Sequence, residues 1–82
     1  LKLELPKSLE LKLAKLFTDW CENQNTPVAV AVFGMQFVAD RSEKFPHQTQ
    51  RVAVAIRNTL DNGQASAGYK NRGQKILHQL NQ

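Results

Sequence analysis

The sequence predicts an all-α fold of about four helices packed as antiparallel helical hairpins. Three observations predict it. Apolar residues recur at spacings of three and four, a proline, serine or threonine stands before each periodic segment, and glycine or a polar run follows it. The 82 residues can bury one modest core. We therefore expect a single small helical domain over residues 1–82, or a fragment of a longer helical-repeat protein.

The first helix is expected over residues 7–23, directly after Pro6. Proline suits the start of a helix because its fixed φ and missing N–H do no harm there. One stripe of a 3.6-residue period predicts the side that packs against the rest of the chain. This stripe consists of Leu9, Leu13, Leu16, Phe17 and Trp20. We interpret Trp20 as a core residue because it lies on the stripe.

The second segment, residues 27–44, is ambiguous between a strand and a helix. Its sequence VAVAV alternates valine with alanine, which is typical of a strand. However, Thr26 is a good N-cap and Pro27 a good first helical residue. Nearly twenty residues separate Pro27 from the next strong stop at Pro46, whereas strands usually have about 5–6 residues. We therefore predict a helix over residues 27–44.

Side-chain burial also favours the helix over residues 27–44. The valines together cost about 2 kcal/mol of helix propensity, but burying each returns about 1.5–3 kcal/mol. Asp40 and Lys44 stand four apart and would pair on the last helical turn. The strand alternative pairs residues 28–32 with 52–56 in a hairpin. It ranks second because no turn dipeptide of the Asn-Gly kind lies between the two runs.

A third helix is expected over residues 46–62. Gly63 follows Asn62 and can take the left-handed conformation that ends many helices. The expected inner stripe is Val52, Ala55, Ile56, Thr59 and Leu60. Arg51 and Arg57 lie on or near the outer face, so this helix is amphipathic with a basic exterior.

A fourth helix is expected over residues 64–82, with Ser66 as its N-cap. Its apolar stripe is Tyr69, Gly73, Ile76, Leu77 and Leu80. Gly68 and Gly73 each cost up to about 1 kcal/mol inside a helix. Their presence indicates either close approach of a neighbouring backbone or a frayed start.

Features of the second segment recur about forty residues later. Thr26 and Ser66 are both candidate N-caps, and each is followed by a helix that contains a glycine, Gly34 or Gly73. Each of these helices then carries an apolar pair, Phe-Val in one and Ile-Leu in the other. A period of about forty residues with paired helices is typical of helical solenoids.

On these features, residues 25–77 resemble a HEAT-type helical repeat and are similar to short bacterial HEAT-like proteins. The matching features are the Pro-Val-Ala opening, the basic second helix and the Asn-Gly exit. The resemblance implies a first helix over 27–44, a second over 47–61, and residues 7–23 as the second helix of a preceding repeat. It also implies a right-handed stack whose outer helices have faces meant for a neighbour or for self-association.

The sequence contains no group of residues that indicates catalysis, a metal site or a cofactor. The lone Cys21 excludes an intramolecular disulfide. His47 and His78 are far apart, so the short His or Cys spacing of a zinc site is lacking. No pair of carboxylates is arranged for acid–base chemistry, and no strand precedes the glycines as a phosphate loop requires. We therefore predict a protein that is not an enzyme.

The net charge of +4 leaves a basic set as the best candidate for contacting a partner. The set comprises Arg51, Arg57, Lys70, Arg72 and Lys75. We predict a non-catalytic scaffold or protein-interaction module with a protein partner or self-association. The alternative is a nucleic-acid-binding module, because Arg and Lys contact phosphate regardless of base sequence. No apolar run is long enough for a membrane span, and we expect a cytoplasmic location.

Overall fold

Four α-helices account for all the regular secondary structure in the described part of the chain. The computed structural model describes residues 5–63 and 65–80. Its helices are α1 (Lys7–Glu22), α2 (Val28–Ala39), α3 (Pro46–Asp61) and α4 (Ala67–Leu80). The all-α prediction is therefore confirmed, and the strand alternative is wrong because both valine runs are helical. Residues 64, 81 and 82 of the predicted fourth helix lie outside the described residues.

Short connections join helices that pack side by side as antiparallel pairs. In hairpin 1 (α1 and α2), Glu10 near the start of α1 contacts Arg41 just past the end of α2. Cys21 near the end of α1 contacts the backbone oxygen of Ala31 near the start of α2. In hairpin 2 (α3 and α4), the two helices again pack on each other. Hairpin 2 packs on hairpin 1 through three helix pairs, α1 with α3, α2 with α4 and α2 with α3.

The core lies between the two hairpins and receives side chains from all four helices. Its largest fully buried side chains include Met35 and Val38 of α2, Val52 and Ile56 of α3, and Ile76 of α4. The predicted stripes of α3 and α4 are confirmed as buried over their first three residues, while their C-terminal residues Thr59, Leu60, Leu77 and Leu80 are half-buried. Of the four α2 valines only Val38 is buried, whereas Val30 and Val32 are half-buried and Val28 is 45% exposed. The expected burial of all four is therefore wrong, and fully buried Met35 supplies a larger apolar contact.

The buried side of α1 differs from the predicted stripe by about one residue. The buried residues are Glu10, Ala14, Phe17, Thr18 and Cys21. By contrast, Leu9 and Leu16 are 42% and 41% exposed, and Leu13 and Trp20 are half-buried. The reason is close packing of α2, since a Cβ placed at Gly34 would lie 3.1 Å from Cβ of Phe17. Small residues such as Ala14 permit this approach, and the bulky leucines turn outward.

Two of the three predicted helix boundaries marked by capping residues are confirmed. The Ser66 hydroxyl oxygen accepts a hydrogen bond from the Tyr69 N–H at 3.2 Å, as an N-cap does. Gly63 has φ +70°, the left-handed conformation expected after α3. The prediction for Thr26 is wrong, because Pro27 occupies the N-cap position and α2 begins at Val28. The Thr26 N–H is instead bonded within the preceding turn, to the Asn23 oxygen at 3.2 Å.

The second helix ends five residues earlier than predicted. It stops at Ala39, and residues 40–44 form successive tight turns that lead into α3. The predicted ion pair between Asp40 and Lys44 is therefore wrong. The turns direct Lys44 toward α1, where its Nζ lies 3.2 Å from Glu10 Oε1. Tertiary pairing with a buried carboxylate replaces the local helical pair.

Hairpin 2 repeats the layout of hairpin 1 at a shift of 39 residues. This is the distance from Lys7 to Pro46, the first residues of α1 and α3, which are both 16 residues long. It is also the distance from Val28 to Ala67, the first residues of α2 and α4. The close approaches obey the same shift. A Cβ at Gly34 would meet Phe17 at 3.1 Å, and a Cβ at Gly73 would meet Ile56 at 3.0 Å.

Candidate interaction surface

Arg51, the first residue of the predicted basic set, forms ion pairs between the two hairpins. Its Nε donates to Glu22 Oε2 at 3.0 Å, and its Nη2 lies 3.3 Å from Asp19 Oδ1. The hydrogen bond from Arg51 lowers the pKa of the Glu22 carboxyl. The positive charge of the Arg51 guanidinium is therefore compensated by the carboxylates at the end of α1.

The other four basic residues of the predicted set are exposed on α3 and α4. They are Arg57, Lys70, Arg72 and Lys75. Arg72 Nη1 donates to the Gln36 side chain at 3.3 Å and so contacts α2. Arg57 lines a small cleft with Gln79 and Leu80, whereas Arg51 lines a separate, larger one. Arg51 and Arg57 of α3 thus line different clefts, and the other three cations lie on α4.

Hairpin 1 carries an exposed apolar face, although the sequence analysis had assigned most of its residues to the core. This apolar face consists of Leu9, Leu13, Leu16, Trp20 and Phe33. The four α1 residues follow spacings of four, three and four, which places them on one side of the helix. Phe33 of α2 is 63% exposed, the highest value among the large apolar side chains of the described residues. The leucine spacing was visible in the sequence, where it indicated the core.

Phe17 connects the two helices beneath the apolar face. Its ring centroid lies 5.1 Å from that of Trp20 and 5.5 Å from that of Phe33, the latter edge-on. A third ring, Phe37, packs edge-on at 5.0 Å. Edge-to-face pairs of this kind fix ring orientation and contribute about 0.5–1.5 kcal/mol each beyond area burial. The exposed Phe33 ring therefore packs against the buried Phe17 ring.

Ion pairs close the end of hairpin 1 next to this aromatic cluster. Arg41 Nε donates to Glu10 Oε2 at 2.9 Å, and its guanidinium carbon lies 3.7 Å from the centre of the Phe37 ring. The hydrogen bond from Arg41, reinforced by Lys44, lowers the pKa of the Glu10 carboxyl below its ordinary value of 4.5, against the opposing effect of burial. Charged Glu10 thus secures the α2–α3 turn to α1.

Glu10 is expected to make folding stability fall in acid. Because its pKa is lower in the folded state, its contribution is fully present above pH 4.5 and is lost as the pH falls from there through the lowered pKa. The Glu10→Gln variant should be less stable than the parent chain at pH 7. The two should converge below the lowered pKa. Urea unfolding measured from pH 7 to pH 2.5 checks this, with pH values chosen to bracket carboxyl titration.

The control for this experiment is Glu43→Gln, which removes an exposed carboxylate that has no ion pair among the described residues. Its pH profile should run parallel to that of the parent chain. If Glu10→Gln and the parent kept the same difference in unfolding free energy at every pH, the assigned role of the Glu10 carboxylate would be wrong.

A larger cleft of about 600 Å³ lies between the hairpins, bordered by the α1–α2 loop and by α3. Amides dominate its polar lining, including Asn23, Asn25, Gln50 and Asn58. Cys21 also lines it, but burial raises the pKa of the thiol to about 12, which leaves essentially no thiolate at neutral pH. Its two charged lining residues neutralise each other as an ion pair. The cleft offers hydrogen bonds without an activated nucleophile.

Within residues 5–63 and 65–80, no group of three His, Cys, Asp or Glu side chains is placed to hold a metal ion. No helix in the described part of the chain combines the length and apolarity needed to cross a membrane. Comparison of the chain with protein-family models, curated proteins and solved structures found no significant match.

Proposed function

We propose that the chain is a non-catalytic helical-repeat module that binds another protein through the apolar face of hairpin 1. The observation that carries this proposal is the exposure of Leu9, Leu16 and Phe33, which are 42%, 41% and 63% accessible beside half-buried Leu13 and Trp20. Contiguous exposed apolar side chains of this kind mark interaction sites in soluble proteins. Aromatic residues such as Trp20 and Phe33 are also enriched among the anchors of protein interfaces.

The pairing of the helices supports the helical-repeat part of the proposal. In a two-layer helical stack, each helix contacts its neighbours along the chain and the equivalent helix of the next unit. Here α1 packs on α3 and α2 packs on α4, and the consecutive helices α2 and α3 also pack on each other. The 39-residue shift between the hairpins lies close to the period of HEAT-type repeats, about 40–47 residues. The lone buried Cys21 suits a module of the reducing cytoplasm.

Site-specific photo-crosslinking in an extract of the source cells tests the proposed function. A benzophenone amino acid is placed at position 33 and, as a matched control, at exposed Asn71 on α4. We expect a discrete protein adduct from position 33 only. Adding Leu16→Lys should abolish the adduct with little change in unfolding free energy, because Leu16 is 41% exposed. Equal adducts from both positions, or an adduct that survives Leu16→Lys, would contradict the proposal.

A further inference from the structure

The contact between the hairpins shows how one unit receives its neighbour. Hairpin 2 turns Arg51, Ala55 and Thr59 of α3 toward the cleft that it shares with hairpin 1. Arg51 bonds there to the carboxylates at the end of α1. On the other layer, Arg72 of α4 donates to the Gln36 side chain of α2 at 3.3 Å. These side chains identify the receiving edge of hairpin 2.

On hairpin 1, the positions equivalent to this receiving edge belong to the apolar face. Moving back by the 39-residue shift, Ala55 corresponds to Leu16, Thr59 to Trp20 and Arg72 to Phe33. Arg51 corresponds to Lys12, a cation kept at the equivalent position. In hairpin 2, Ala55 is buried, Arg51 and Thr59 are half-buried, and Arg72 stays exposed beside Gln36 of α2. In hairpin 1 the same edge is more apolar, and its Leu16 and Phe33 are exposed. The exposed surface is thus the counterpart of an interface that already exists within the molecule.

We infer that the apolar face accepts a further helical hairpin, stacked on hairpin 1 as hairpin 1 is stacked on hairpin 2. The inference rests on the proposed function and specifies the partner. The partner is an antiparallel helical hairpin with an apolar docking edge. It carries carboxylates opposite Lys12, because the equivalent Arg51 is met by Asp19 and Glu22. Opposite charges at matching positions fix the register of such an interface.

A second copy of this chain does not offer that docking edge. Hairpin 1 docks with an edge that includes Val32, Met35 and Ala39, all buried or half-buried. The corresponding residues of hairpin 2 are Asn71, Gln74 and His78, which are polar and exposed. Head-to-tail association would therefore bury polar side chains against Leu16 and Phe33 without partners, which is unfavourable. A polar outer edge of this kind is typical of the capping unit of a helical stack.

The test adds one hairpin of known docking edge to the complete chain. Residues 7–45 are placed once more directly before Lys7, with Trp20→Phe in the added copy so that the original Trp20 is the only tryptophan. We expect one cooperative urea transition with an m-value about 1.5-fold higher, because the m-value scales with the surface exposed on unfolding. The original Trp20 should become several-fold less accessible to acrylamide. A separate early transition with unchanged quenching would overturn the inference.

Charge reversal gives the matched control for register. Lys12→Glu in the receiving hairpin should weaken docking and restore quenching of Trp20. In this Lys12→Glu variant, adding Asp19→Lys and Glu22→Lys in the added copy alone should restore docking, because the opposite charges again face each other. The original Asp19 and Glu22 remain, so the Arg51 contacts are unchanged. The unextended chain should sediment as a monomer, and a dimer dissociated by Leu16→Lys would overturn the inference. If position 33 still crosslinks a protein while the added hairpin fails to dock, the proposed function stands and this inference falls.

Discussion

Replacing Ile56 by alanine is expected to lower the free energy of unfolding by about 3–5 kcal/mol, the upper part of the range for truncating a buried Ile to Ala. Ile56 is fully buried at the centre of α3. Its Cγ2 faces Gly73 of α4 so closely that a Cβ there would lie 3.0 Å away. Because glycine has no side chain that could move into the vacated space, the cavity collapses poorly. A domain of this size has roughly 4–12 kcal/mol of stability in total, so the loss is severe.

Urea unfolding followed by far-ultraviolet circular dichroism measures the effect of Ile56→Ala. Val54→Ala is the control, since Val54 lies on the same helix but is 43% exposed, and we expect a change below about 0.5 kcal/mol. The double variant Ile56→Ala with Gly73→Ala should be more stable than Ile56→Ala alone, because the new Cβ fills part of the cavity. A loss under about 1 kcal/mol for Ile56→Ala would mean that α3 and α4 do not pack as described.

Replacing Gly34 by valine is expected to lower the free energy of unfolding by about 2–3 kcal/mol. A Cβ at this position would lie 3.1 Å from Cβ of Phe17 and 3.5 Å from its backbone oxygen. Neither atom is at the flexible end of a side chain, so α1 and α2 must separate to admit the two further methyl groups of valine. Separation also loosens the aromatic cluster around Phe17, on which the apolar face depends.

The same substitution at Gly68 is the matched control for Gly34→Val. Gly68 lies in the first turn of α4, and a Cβ there would meet nothing within 4 Å. Gly68→Val should therefore be neutral or stabilising by a few tenths of a kcal/mol, in line with helix propensity. Gly73→Val should resemble Gly34→Val, because the two glycines are related by the 39-residue shift. Thermal unfolding of the three variants distinguishes a steric effect of close helix packing from an effect of helix propensity. Equal losses of stability at all three sites would refute the packing argument.

Local chemistry was sufficient to predict the four helices and most of their ends. The hydroxyl of Ser66, the left-handed Gly63 and the proline before α1 act within a few residues, so the sequence alone records them. Periodicity likewise identified the buried centre of α3 and α4. The early end of α2 was missed because Lys44 pairs with Glu10, thirty-four residues away in the chain. No local pattern reports a partner at that separation.

The sequence by itself determined an all-α chain with a recurring glycine and a single cysteine, which excludes an intramolecular disulfide. Only the tertiary structure decided which leucines of α1 face outward and that Arg51 is neutralised by Glu22. The physical reason is that an amphipathic period specifies one broad apolar side, about 100° wide, without saying which part of it a neighbour covers. That choice depends on how closely another backbone can approach. At Gly34 it approaches closely enough to bury Phe17 and leave the leucines of the apolar face exposed.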